Sequence, residues 1–146
     1  MLFTVGIFQD GAWAQKGIDA LKRAGFPPDS LTVMTKESAD GSALIQRALG
    51  ASGARVDLPG GVQLVAAGPL VEALQGPARD LAKLGIAGTM RRVGFQSHDG
   101  RIFETLVGRG GVLVAINSEP RAADALAILH SYGGGNAAIG AWNGRL

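Results

Sequence analysis

The chain opens on a short apolar run rich in β-formers, Thr4 to Phe8, and Asp10 follows it in the position of a helix N-cap. Over Gly11 to Ala24, Ala14, Ile18 and Leu21 recur at i, i+4 and i+7. That spacing puts three apolar side chains on one helical face, with Lys16, Asp19, Lys22 and Arg23 turned away from it. Gly25 supplies the left-handed stop that commonly closes a helix. After the turn Phe26-Pro27-Pro28-Asp29, the stretch Leu31 to Thr35 alternates apolar Leu31 and Val33 with Thr32 and Thr35, which predicts a strand with one buried face. The opening third is therefore read as β-α-β.

The far end repeats the plan. Val112 to Ile116 is an apolar strand, Ser118 is placed as an N-cap with Pro120 in the first turn, and Ala122, Leu126 and Leu129 form a helical stripe that stops near Gly133. Ala137 to Trp142 is read as a last strand. A shift of 108 positions lays Ala14 on Ala122, Ile18 on Leu126, Leu21 on Leu129, Gly25 on Gly133 and Leu31 on Ile139 without a gap.

Two β-α-β halves predict an α+β fold of the ferredoxin-like, split βαβ kind: an antiparallel sheet with two helices on one face and the first and third strands central. Leu2 to Phe8 and Val112 to Ile116 are nearly continuous apolar runs, the mark of strands buried on both faces. The terminal helices cover only one face, so another layer must cover the second. The segment between the halves is the internal candidate. Leu44, Ile45, Ala48 and Leu49 suggest a short helix after Asp40-Gly41-Ser42, while Val62 to Ala67 is ambiguous between strand and helix. Pro69 to Leu74 and Pro77 to Leu84 each open near a proline and break at Gly76 and Gly85; Ser97 is placed to cap a further helix reaching Val107. The expected organisation is one domain over 1–146, with βαβ at 3–36, a helical insert at 37–110 and βαβ at 111–143.

Composition narrows the chemistry. The 146 residues carry 14 Lys+Arg against 12 Asp+Glu, and 47% are hydrophobic against 18% charged, enough to fill a core and too balanced for a nucleic-acid-coating protein. The 23 Gly are about twice the usual share of roughly 7%, so backbones are expected to approach closely. With no Cys and two His, a disulfide framework, a thiol nucleophile and a Cys- or His-rich metal site are excluded, and no cofactor is implied. The N-terminus lacks the basic flank of a signal peptide, and the uncharged windows Leu58 to Val71 and Ala125 to Gly144 are broken by prolines, glycines and asparagines. The expectation is a cytoplasmic chain without membrane contact.

Gly68-Pro69-Leu70-Val71-Glu72-Ala73-Leu74, then Leu84-Gly85-Ile86, then Gly110-Gly111-Val112-Leu113-Val114-Ala115-Ile116 follow one another in an order that resembles the bacterial general-stress and heat-induced stress protein family. Val5-Gly6-Ile7-Phe8 and the helix end Asp19-Ala20-Leu21-Lys22-Arg23-Ala24-Gly25-Phe26 are similar to the opening of those proteins. The resemblance implies a stress-associated cytoplasmic protein, and it carries over no catalytic residue.

The candidate catalytic residues are His98, Asp99 and Glu104, with Arg101 beside them, because a general base needs neighbours that orient it. The competing reading places His98 and Asp99 in the first turn of a helix and pairs Arg101 with Glu104 on its surface. Gly108-Arg109-Gly110-Gly111 runs from helix to strand, the reverse of a phosphate loop, and is read as a cap and turn. Arg79, Lys83, Arg91 and Arg92 form the one basic concentration, too narrow for nucleic acid and with only Phe95 close by to stack on. His130 falls at a helix C-terminus, which favours a positive group. Trp13 and Trp142 are the interface candidates, as large aromatics anchor contacts between chains.

The functional expectation is a non-enzymatic stress-related or accessory protein acting through binding, as a homo-oligomer joined by sheet face or edge. The alternatives are a regulatory module for a small ligand and an enzyme using His98, Asp99 and Glu104.

Overall fold

Strand β1 (Phe3–Phe8) ends at Asp10, whose carboxylate accepts the Trp13 backbone N–H at 2.9 Å and so starts α1 (Gly11–Arg23). The structure is a computed structural model that describes residues 3–118, 120–134 and 142–143, the last pair by backbone alone. Ala14, Ile18 and Leu21 are fully buried, and Gly25 closes the helix at φ 97°. A 3-10 turn leads into β2 (Leu31–Lys36). Ser38 then caps α2 (Ala39–Leu49) through the Gly41 N–H at 2.9 Å. There follow the hairpin β3 (Ala54–Asp57) and β4 (Gln63–Ala67), the short helices α3 (Pro69–Gln75) and α4 (Asp80–Thr89), and a 3-10 turn. The chain finishes with α5 (Ser97–Gly108), β5 (Val112–Asn117), α6 (Ala122–Ser131) and β6 (Trp142–Asn143).

The fold is mixed α+β, and the strands form an antiparallel open sheet in the order β3-β4-β2-β5-β1-β6. The two terminal units meet as expected: β1 and β5 run side by side in opposite directions, with Thr4 facing Ile116 and Ile7 facing Leu113. Every residue of β1 is buried, as are Val112 to Ile116 of β5. Side chains alternate across the sheet, so each face has its own core. Phe8, Val33, Val65, Val114 and Ile116 join Ile18, Leu21, Ile45 and Leu129 beneath α1, α2 and α6. Phe3, Val5, Met34, Leu64 and Leu113 join Leu70, Leu81, Ile86, Phe103 and Val107 beneath α3, α4 and α5. Phe95 and Phe103 meet edge to face there, with ring centroids 5.5 Å apart.

The intervening segment thus covers the second face, but it is not purely helical. It also adds β4 and β3 to the free side of β2 and sends α2 to the first face, against α1. The ambiguity over Val62 to Ala67 resolves as a strand. This addition corrects the expectation of a half-exposed second strand: β2 becomes interior, and Leu31 to Thr35 are all buried. Thr32 and Thr35 are tolerated because each hydroxyl has a partner, Thr32 Oγ1 accepting the Leu70 N–H at 2.9 Å and Thr35 donating to the Gly111 carbonyl at 3.3 Å.

Three local expectations shift. Ser118 does not cap α6, which starts later, after Arg121; the Ser118 side chain is buried and shares a 2.8 Å hydrogen bond with Thr4 across the β1–β5 pair. In α6 the fully buried positions are Ala125 and Leu129, with Leu126 only half-buried, because i, i+3, i+7 tracks the face pressed on the sheet more closely here than i, i+4, i+7. Ser97 is the first residue of α5, and Gln96 precedes it without a side-chain cap. Of the closing strand, 137–141 lie outside the described residues, while Trp142 and Asn143 pair with Val5 and Thr4. Gly133 stops α6 at φ 82°, matching Gly25 across the internal repeat.

Candidate functional site

Helix α5 carries the candidate catalytic residues, and its geometry separates them. His98 is exposed and Asp99 half-buried in the first turn. Glu104 sits six residues beyond His98, about 9 Å along the axis and about 240° around it. Its carboxylate turns toward α4, where Oε2 accepts the Ala87 N–H at 2.8 Å. The reason lies in α4 itself. Gly85 breaks that helix at φ 75°, so the chain restarts with free N–H groups, and Glu104 caps the restart from a neighbouring helix. Glu104 is thereby a structural acceptor, and the surface pair expected with Arg101 gives way to this bond. The sequence pattern places Gly85 as the stop of a helix over Pro77 to Leu84; the helix instead starts at Asp80 and resumes beyond Gly85 to Thr89, and the residue that caps the restart could not be read from spacing.

The basic concentration also divides. Arg92 pairs with Asp80 and donates to the Leu74 carbonyl at 3.2 Å, tying the ends of α3 and α4 to the 3-10 turn that bears it. Arg79 holds the backbone position before α4 at φ 55°. The glycines at 108–111 close α5 as expected: Gly110 takes φ 96°, and the Gly111 N–H returns to the Leu106 carbonyl at 2.9 Å.

Of the two interface candidates, Trp13 is 42% exposed on α1, with Lys16 Nζ 4.4 Å from its ring centroid. It lines an open groove together with Gln9, His130 and Tyr132, so the structure brings Trp13 and His130 to one surface. Trp142 is placed by its backbone pairing with Val5, and its side chain lies outside the described residues.

A second, more enclosed cleft forms where β1 and β2 hand over to α1 and α2, lined by Asp10, Thr35, Ser38, Asp40 and Gly110. Two helix N-termini open into it. Each is already occupied by its own cap, Asp10 in one and Ser38 in the other, and Thr35 donates to Gly111.

Among the described residues, the buried polar side chains are Thr4, Thr32, Thr35, Thr89 and Ser118, each hydrogen-bonded within the fold. No group of three His, Asp or Glu side chains among them is placed to hold a metal ion, and no helix is long and apolar enough to cross a membrane. Compared with protein-family models, curated proteins and solved structures, the chain matches none.

Proposed function

We propose that the chain is a cytoplasmic, stress-related accessory protein that acts by binding, including to copies of itself, rather than by catalysis. One observation carries this reading: the polar groups held inside the fold are hydroxyls already joined to other parts of it, and the residues suited to acid–base work do not converge. We read β6-β1-β5-β2 as a ferredoxin-like core, to which β4 and β3 have been added at one side. Helices α3, α4 and α5 of the insert cover the second face, so self-association on this reading uses the rim of the sheet. The small-ligand alternative has less to draw on, since the cleft at the starts of α1 and α2 is capped by its own side chains.

Sedimentation velocity from low to high micromolar protein tests the proposal. A reversible rise in mass with concentration is expected, unchanged by His98→Ala. A monomer across the whole range overturns the self-association reading, and a turnover lost in His98→Ala overturns the non-enzymatic one.

A further inference from the structure

We infer that the β3 edge is a homodimer joint, at which two copies pair their β3 strands antiparallel about a two-fold axis through Val56. This rests on the self-association reading and specifies its surface.

β3 is the last strand on its side of the sheet. Its pairing with β4 fixes which backbone groups point outward. The Leu58 N–H bonds to the Val62 carbonyl at 2.8 Å, and in an antiparallel ladder hydrogen-bonded pairs alternate, so Val56 with Leu64 is the next such pair. The intervening Arg55 and Asp57 therefore turn their N–H and C=O groups to the outer edge. A second β3 can use those groups in only a few registers. Pairing Arg55 with Arg55, or Asp57 with Asp57, sets like charges opposite one another. Pairing Arg55 with Asp57 of the other copy sets opposite charges together twice, once on each side of the axis.

The same register satisfies the other face. Ala54, Val56 and Leu58 alternate with the charged pair, and Val56 and Leu58 already belong to the core under the insert helices. In the joint Val56 meets Val56 and Ala54 meets Leu58, extending the apolar layer of one copy into the next. Helix α4, which packs against β3 and carries Leu84 at 52% exposed, lies on that side in both copies.

Charged residues on an edge strand ordinarily prevent pairing, most effectively when they share one sign. Here Arg55 and Asp57 have opposite sign on one face, 3.1 Å apart within a copy, with Glu37 3.4 Å from Arg55. The edge is thus self-complementary. Pro59, at the next outward position, has no N–H to donate, so the ladder is confined to Arg55 and Asp57. Two-fold pairing consumes the β3 edge of each copy, so this joint closes at two copies.

The test is a charge swap read by sedimentation equilibrium, with circular dichroism as the folding control. Arg55→Asp and Asp57→Arg are each expected to weaken the dimer by about tenfold or more, since two attractive pairs become repulsive. An equimolar mixture of the two variants, and the double variant R55D/D57R, restore association. If the wild type dimerises and both single variants dimerise equally well, the β3 joint is wrong while self-association stands. If the wild type is monomeric throughout, both fall. Should Arg55→Asp fail to fold, Asp57→Arg decides: it leaves Arg55 beside Glu37, and since it also sets two arginines side by side within a copy, its circular dichroism must match the wild type before loss of the dimer is assigned to the joint.

Discussion

The two helical layers on the sheet are held in different ways. On the first face, α1 and α2 start at side chains from their own sequence neighbourhood, Asp10 and Ser38, and stop at glycines just beyond, Gly25 and Gly50. On the second face α3 is short and α4 is interrupted at Gly85, and their ends are fixed from a distance. Thr32 of β2 receives the Leu70 N–H of α3, Glu104 of α5 receives the Ala87 N–H of α4, and Arg92 reaches back to Leu74 and Asp80. In the first layer α1 and α2 are specified locally, and in the second α3 and α4 are specified by tertiary contact. A layer of the second kind forms only once its neighbours are in place, and its helices are expected to open at lower free energy in hydrogen exchange.

The largest expected effect lies where the second layer meets the sheet. Gly68 precedes α3 at φ 122°, a conformation that side-chain-bearing residues rarely adopt, and a β-carbon there would sit 2.5 Å from Thr32 Cα. Gly68→Ala therefore both strains the backbone and pushes α3 off β2. A loss of about 3 kcal/mol or more in urea unfolding, or failure to fold, is expected. Gly50→Ala is the matched change in the first layer: it is also left-handed, at φ 67°, but with open space around it, so the loss is about 1 kcal/mol. Equal losses at the two glycines would erase the distinction between the layers.

The next contrast is between two caps. Glu104→Ala removes a cap supplied across helices and Asp10→Ala one supplied three residues away; each is expected to cost about 1 kcal/mol. They differ in where the damage appears. Hydrogen exchange should show α4 amides losing protection when a residue of α5 is changed, whereas Asp10→Ala affects the start of α1. Glu104→Gln keeps an acceptor oxygen and should lose less. Unchanged protection of α4 in Glu104→Ala would break the link between the two helices.

The same division explains what could be read from residue order. The first layer was legible because helix period, cap and stop are all local: Ala14, Ile18, Leu21, Asp10 and Gly25 fall where the pattern puts them. The antiparallel meeting of β1 and β5 followed from their unbroken apolar runs. The β3–β4 hairpin was not legible, since Ala54 to Asp57 has a single apolar side chain turned inward, Val56, between two charged residues. Nor did the sequence reveal that β2 would be interior, because Thr32 and Thr35 look solvent-facing until their partners at Leu70 and Gly111 are in place. For the candidate site, the spacing of His98, Asp99 and Glu104 was visible, but the break at Gly85 that draws Glu104 away is a property of another helix.

The smallest expected effect has the opposite sign. Arg79 is the non-glycine residue with positive φ among those described, at φ 55° and ψ 45°, immediately before α4. Its side chain is exposed and supplies no cap, so the left-handed backbone there is imposed by the turn from Gly76 into the helix rather than by a contact of its own. Arg79→Gly relieves that strain while giving the unfolded chain more freedom, and the two contributions leave a net gain of a few tenths to about 1 kcal/mol. The urea midpoint should rise without a change in slope. A fall instead would mean that Arg79 contributes to the second layer through its side chain, and that this layer draws on surface charge as well as on the caps from β2 and α5.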